Sequence, residues 1–138
     1  MRVSQRLDYT LRGLTALARK APGTYVAAGE IADALGMPRR FVEQQFTGMA
    51  RAGIVDCRRG ACGGCALLRP AEDITVGEVV RAVQHAILDI PHVTGSAVSE
   101  MWTQASASLE LALEDTTLAD LAARQQELDS QVAAMYYI

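Results

Sequence analysis

Residues 28–55 read AGEIADALGMPRRFVEQQFTGMARAGIV, and the fold turns on how this stretch is punctuated. From Ala28 to Leu35, the apolar residues Ile31, Ala32 and Leu35 share one face at helical spacing. Gly36 stands where a glycine lets a helix leave through the left-handed region. Pro38 suits the first turn of a new helix, where its missing N–H has no partner to lose. That helix is expected to run to about Ala52 with Val42, Phe46 and Met49 inward, and Gly53 ends it. The result is helix, tight turn, helix.

Upstream, Leu7, Leu11, Leu14 and Ala18 follow helical spacing behind Ser4, a natural N-cap, and Ala21-Pro22-Gly23 stops this first helix. Downstream lie two β-prone runs, Ile54-Val55-Asp56-Cys57 and Cys65-Ala66-Leu67-Leu68, around a tip holding Gly60, Gly63 and Gly64. Short strands around glycines predict a hairpin, closed by Pro70. Thr75 then caps a helix through Gln84 that buries Val76, Val79, Val80 and Val83. After the connector HAILDIPHVTGS (85–96), Val98, Met101, Trp102, Ala105, Leu109 and Ala112 keep helical spacing. Thr117 caps a last helix with Leu118, Leu121, Leu128 and Val132 on one side.

Half of the 138 residues are hydrophobic and 21% are charged, enough apolar material for one packed domain with a helical appendage. No run approaches a membrane span, and the N-terminus lacks the apolar stretch of a signal peptide, so a cytoplasmic protein is expected, with no membrane partner. The net charge of −3 conceals a division. Residues 1–70 carry 11 Lys/Arg against 5 Asp/Glu, and residues 71–138 carry 2 against 11. The N-terminal half therefore suits an anionic partner.

A helix-turn-helix followed by a β-hairpin is a winged helix, which places its second helix in the DNA major groove. The polar face of residues 38–52 presents Arg39, Arg40, Glu43, Gln44 and Thr47. Arginine can pair with guanine, glutamine with adenine, and glutamate can accept from cytosine. Arg58 and Arg59 sit where a wing meets phosphates or a narrow minor groove. Ser4, at the start of the first helix, is counted with them as a candidate DNA contact. No Ser/His/Asp set, phosphate loop or paired acidic cleft points to an enzyme.

The segments MRVSQRLDYTLRGL, EIADALGMPRRFVEQQFTGMARAGIV, RRGACGGCALLRP, EDITVGEVVRAV and TTLADL together resemble the IscR/NsrR (Rrf-two type) group of bacterial winged-helix repressors. The resemblance implies a mainly α fold with a small β-hairpin. It has a winged helix-turn-helix domain (1–84, wing about 54–69), a connector (85–96) and a helical dimerisation region (97–138) with a final packing helix. It also implies a homodimer bound to double-stranded DNA at a pseudo-palindromic promoter operator. The recognition pattern falls on Arg40, Phe41, Glu43 and Gln44, and the wing arginine on Arg59. Phe41 sits at the edge of the inward face and reads equally as core or as a neighbour of DNA. Val98, Met101, Trp102, Ala105 and Leu109 mark the candidate dimer helix, a stripe that suits intramolecular core as well.

The sequence departs from that family where sensing is concerned. Many members hold an iron–sulfur cluster on three connector cysteines, and residues 85–102 contain none. A variant family site uses an acid and a histidine in the first helix; here Asp8 is present, but Arg12 stands in the histidine's place. The chain's cysteines, Cys57, Cys62 and Cys65, are all in the wing. Three readings stay open. The first is an iron–sulfur cluster or zinc on these thiols, completed by His92, His85, Asp56 or another subunit. The second is a thiol switch at the C-x-x-C pair Cys62 and Cys65, and the third is no sensory role and no cofactor. The competing function is a winged-helix interaction module without specific DNA binding.

Overall fold

Phe46 is the residue on which the first three helices converge. The computed structural model describes residues 3–60, 63–84, 86 and 88–137. It contains α1 (Gln5–Ala18), α2 (Ala28–Leu35) and α3 (Arg39–Arg51). The Phe46 ring is 1% exposed and lies against Gly13 of α1, where a β-carbon would come within 3.1 Å of Cε1. Leu14, Leu17, Ile31, Ala32, Val42 and Met49 complete this part of the core. Each helix starts and stops on local chemistry. Ser4 Oγ accepts the Leu7 N–H at 3.1 Å as the N-cap of α1. Pro38 is the N-cap of α3, one position before the helix, its backbone extended.

α2 and α3 end in the same way. Gly36 and Gly53 take positive φ (66° and 77°). The following residue donates back across the last turn, Met37 N–H to Ala32 O and Ile54 N–H to Met49 O. This doubled-back closure satisfies carbonyls that the helix end leaves open and folds an apolar residue onto the helix. Met37 and Ile54 are buried as a result. Leu35, expected inward, is instead 40% exposed, because the left-handed exit at Gly36 delivers Met37 to the core in its place.

The hairpin strands are β1 (Val55–Arg58) and β2 (Gly64–Leu67), each one residue displaced from the expected runs, paired antiparallel with Cys57 opposite Cys65. Val26 adds a further rung on the free edge of β2, exchanging two backbone hydrogen bonds with Cys65 (2.9 and 2.8 Å). After a 3-10 turn at Ala71–Asp73, Thr75 caps α4 (Val76–Val83), which packs Val76 and Val80 on Leu7.

α5 (Ala97–Glu114) stands largely clear of this body and buries only Ser99. α6 (Leu118–Tyr136) begins with a capping box between Thr117 and Asp120 and drives Leu118 into the core beside Ile74. Arg19 at the end of α1 holds α6 through Asp129 (2.7 Å) and Gln126 (3.0 Å). Leu128 and Val132, expected on the packed side with Leu118 and Leu121, are 38% and 53% exposed. They share the face, but α6 extends past what the domain can cover.

Candidate nucleic-acid interface

Burial of Val42, Phe46 and Met49 commits one face of α3 to the core, and the helical period turns residues 39, 40, 43, 44 and 47 outward. Within this polar face the residues divide. Arg39 lies along Gly29 of α2, where a β-carbon would be 2.9 Å from the guanidinium carbon, and pairs with Glu43 at 3.2 Å. Thr47 donates its hydroxyl proton to the Glu43 carbonyl (2.9 Å). Among the described residues, Arg40 and Gln44 make no side-chain hydrogen bond and no ion pair, so their donors face solvent unspent. Phe41 is half-buried and meets Tyr9 of α1 edge-to-face, ring centroids 5.5 Å apart at 88°. It braces α3 on α1 while keeping an outward edge. Ser4 is exposed, with its oxygen occupied by the α1 cap.

The wing is a ribbon whose faces carry different ties. Side chains alternate along each strand, so Val26, Cys65 and Cys57 form a row on one face and Tyr25, Ala66 and Asp56 a row on the other. Ala66 is small enough for the Tyr25 hydroxyl to reach over it and donate to Asp56 Oδ2. This bond raises the tyrosine's pKa, since ionisation would set two negative charges together. Arg58 then stacks on the Tyr25 ring, 4.3 Å from its centroid, and lies 3.5 Å from Asp56. Arg58 is therefore held by its neighbours. Arg59 is exposed and makes no ion pair among the described residues. Gly64 is required by space: a β-carbon there would meet the Val26 carbonyl carbon at 2.5 Å.

On the other face, Cys57 and Cys65 are joined as a disulfide with Cα atoms 4.1 Å apart. Val26 uses both backbone groups of Cys65, which leaves Cys57 and Cys65 as a non-hydrogen-bonded cross-strand pair, the closer of the two antiparallel pair types. The C-x-x-C reading is corrected here: Cys65 pairs with Cys57 across the ribbon, not with Cys62. Cys57 is the other partner in the bond. Cys62 lies outside the described residues, as does His85.

In the disulfide neither sulfur is a thiolate ligand, and among the described residues no three His, Cys, Asp or Glu side chains gather around one point. His92 is exposed in the connector beside the start of α5, where Ser99 Oγ donates to Pro91 O and accepts from the Val93 N–H. In α1, Arg12 Nε pairs with Asp8 Oδ2 at 2.9 Å, so the acid that a first-helix site would use is already neutralised.

On α5, Val98, Met101 and Trp102 are 62%, 48% and 41% exposed; Ala105 is exposed and Leu109 half-buried. The stripe is thus not core within one chain. α5 joins the body at its last turn, where Leu113 packs by Val80 and Glu114 bonds Arg81 and Thr75. The Arg81 guanidinium, seconded by the Thr75 hydroxyl, holds the Glu114 carboxyl below the usual carboxylate range against partial burial.

Sequence reasoning missed Tyr25 and the Val26 rung. Two residues carry no periodicity; the usable signal was a β-prone Thr-Tyr-Val directly after Pro22-Gly23. Among the described residues, no helix is long and apolar enough to cross a membrane.

Known proteins share this arrangement. A family model described as Rrf2, iron-dependent transcriptional regulator, matches residues 3–124. HTH-type transcriptional regulator Rv1287 of Mycobacterium tuberculosis is 33% identical over 132 residues, 88% of this chain and 81% of its own. HTH-type transcriptional regulator IscR of Cereibacter sphaeroides is 28% identical, spanning 100% of this chain and 97% of its own. The structure of CymR, the global cysteine regulator of B. subtilis, superposes with a TM-score of 0.82 at 27% identity, covering 90% of this chain and 98% of that one. With its winged helix and outward-facing α3, the chain belongs to the Rrf2 family of transcriptional regulators and is not an enzyme.

Proposed function

We propose that the protein is a cytoplasmic homodimeric repressor that binds a pseudo-palindromic promoter operator and answers to the thiol state of its wing rather than to a cluster at the family's usual site. The observation that carries this is the outward face of α3, where Arg40 and Gln44 keep uncommitted donors on a rigid helix, with Arg59 exposed on the wing. The positive N-terminal half supports approach to DNA, and the acidic C-terminal half is disfavoured there. The bare apolar stripe of α5 suits a second copy, and two-fold pairing would set two α3 helices against half-sites about 10 bp apart. The disulfide between Cys57 and Cys65, in the hairpin that presents Arg59, supports thiol control.

Footprinting on the protein's own promoter region, beside random DNA at near-physiological salt, tests the reading. A protected inverted repeat with affinity falling steeply with salt is expected. Equal binding to both DNAs would leave a winged-helix interaction module instead.

A further inference from the structure

We propose that Cys57 is a modification site for low-molecular-weight disulfides, with Cys65 as its resolving thiol, and that closing the bond between them tightens the grip of the wing on DNA. The proposal rests on the DNA-binding reading above. It starts from an asymmetry within the pair: Cys57 is exposed on β1, whereas Cys65 is 6% exposed and lies between Cys57 and Val26. Thiol–disulfide exchange needs access to the attacking or attacked sulfur, so external chemistry meets Cys57.

In the reduced protein the Cys57 thiolate attacks a small disulfide RSSR, forming Cys57–S–S–R and releasing RS⁻. The Cys65 thiolate then attacks the Cys57 sulfur, forming the intramolecular bond and releasing the second RS⁻. The two cysteine protons go to solvent and the two electrons to RSSR. Reversal begins with a small thiolate attacking the same exposed Cys57 sulfur, with Cys65 as leaving group. Cys65 is already positioned, because its N–H and carbonyl are held by Val26 whatever the state of the sulfur.

The effect on DNA follows from what else holds the ribbon. The Tyr25–Asp56–Arg58 cluster ties one face only. The disulfide ties the opposite face one residue from Arg58 and two from Arg59. With both faces tied, Arg59 is presented from a fixed stem, and less freedom is lost when it meets DNA. Ordering one such side chain in advance corresponds to a gain in affinity of about five-fold.

The test uses the full-length protein, reduced, freed of oxygen, exposed to oxidised glutathione and quenched in acid. Trypsin cleaves after Arg58 and Arg59 and so separates Cys57 from the peptide carrying Cys62 and Cys65. Wild type is expected to show Cys57 linked to Cys65 with no retained glutathione. Cys65→Ala is expected to retain one glutathione on Cys57, and Cys57→Ser to leave Cys65 unmodified. Operator binding should be about five-fold tighter for oxidised than for reduced wild type, with both variants held at the reduced value. A bond between Cys62 and Cys65, glutathione on Cys65 in Cys57→Ser, or equal operator affinity in the two wild-type states would each overturn the proposal. The wild-type map needs no variant to fold. Failure of every form to bind operator, with the Cys57–Cys65 map intact, would instead count against the DNA-binding reading.

Discussion

Two helices of the chain, α3 and α5, end up in opposite situations. α3 buries Val42, Phe46 and Met49 within the chain and turns a mostly polar face to solvent. α5, 18 residues long, leaves Val98, Met101 and Trp102 bare and is fastened to the body at its last turn. Burial stabilises α3 at the level of one chain, so its outer face is free to be selected for what it reads. α5 has no such internal support, and an apolar stripe of this kind marks a contact surface. Folding is complete at α3 and incomplete at α5. In the function proposed above, reading falls to α3 and assembly to α5.

The comparison can be broken from the side of α3 most severely. Phe46→Ala should cost about 3–5 kcal/mol of unfolding free energy, since the ring fills the junction with Gly13; urea denaturation measures it, and a loss under 1 kcal/mol would show the junction to be loosely packed. Joint Met101→Glu and Trp102→Glu should leave the fold's far-UV signal intact while halving the mass by light scattering. Operator affinity should then drop by about 10²-fold as the second half-site is lost. An unchanged mass would remove α5 from the interface.

Smaller changes sharpen the contrast. Arg40→Ala touches only the outward face of α3, so it should cost about 1–3 kcal/mol at one base position in operator-variant titrations, with no change in melting. Arg59→Ala should lower the salt slope by about 1 if the residue meets a phosphate. The least effect is expected from acid at the α5 joint. The Glu114 carboxyl is held below its ordinary range, so its contribution is complete above that range and fades as pH falls through the folded-state value. Melting followed from pH 7 to 3 should therefore drop more steeply in wild type than in Glu114→Gln.

What was legible in the sequence is what single residues decide locally. Ser4, Gly36, Gly53, Thr75 and Thr117 each announce a helix boundary, and the structure uses all five. Spacing along a helix says which residues share a face, but not what covers it. Leu128 and Val132 therefore resemble Leu118 in pattern and differ from it in burial. Leu35 was misread because the helical pattern was followed to its last residue, where the left-handed turn already redirects the chain. In the wing, Cys62 and Cys65 are close in sequence, while the bond forms across eight residues by strand register. Register depends on both strands and on the Val26 rung, none of which the local C-x-x-C spacing contains.

Gly77 leaves room for the Glu114 side chain at the joint between α4 and α5. A β-carbon at that position would fall 2.3 Å from the Glu114 carboxylate, and without one the carboxylate lies close over α4 as it bonds Arg81 and Thr75. Leu113 and Glu114 act as the fulcrum, and the 18-residue shaft of α5 extends from it. A fraction of an ångström at a fulcrum becomes several at the far end of a lever. In the proposed two-fold assembly built along that shaft, the phase between the two reading helices, and with it the length of operator that fits both, would be gauged at this one joint.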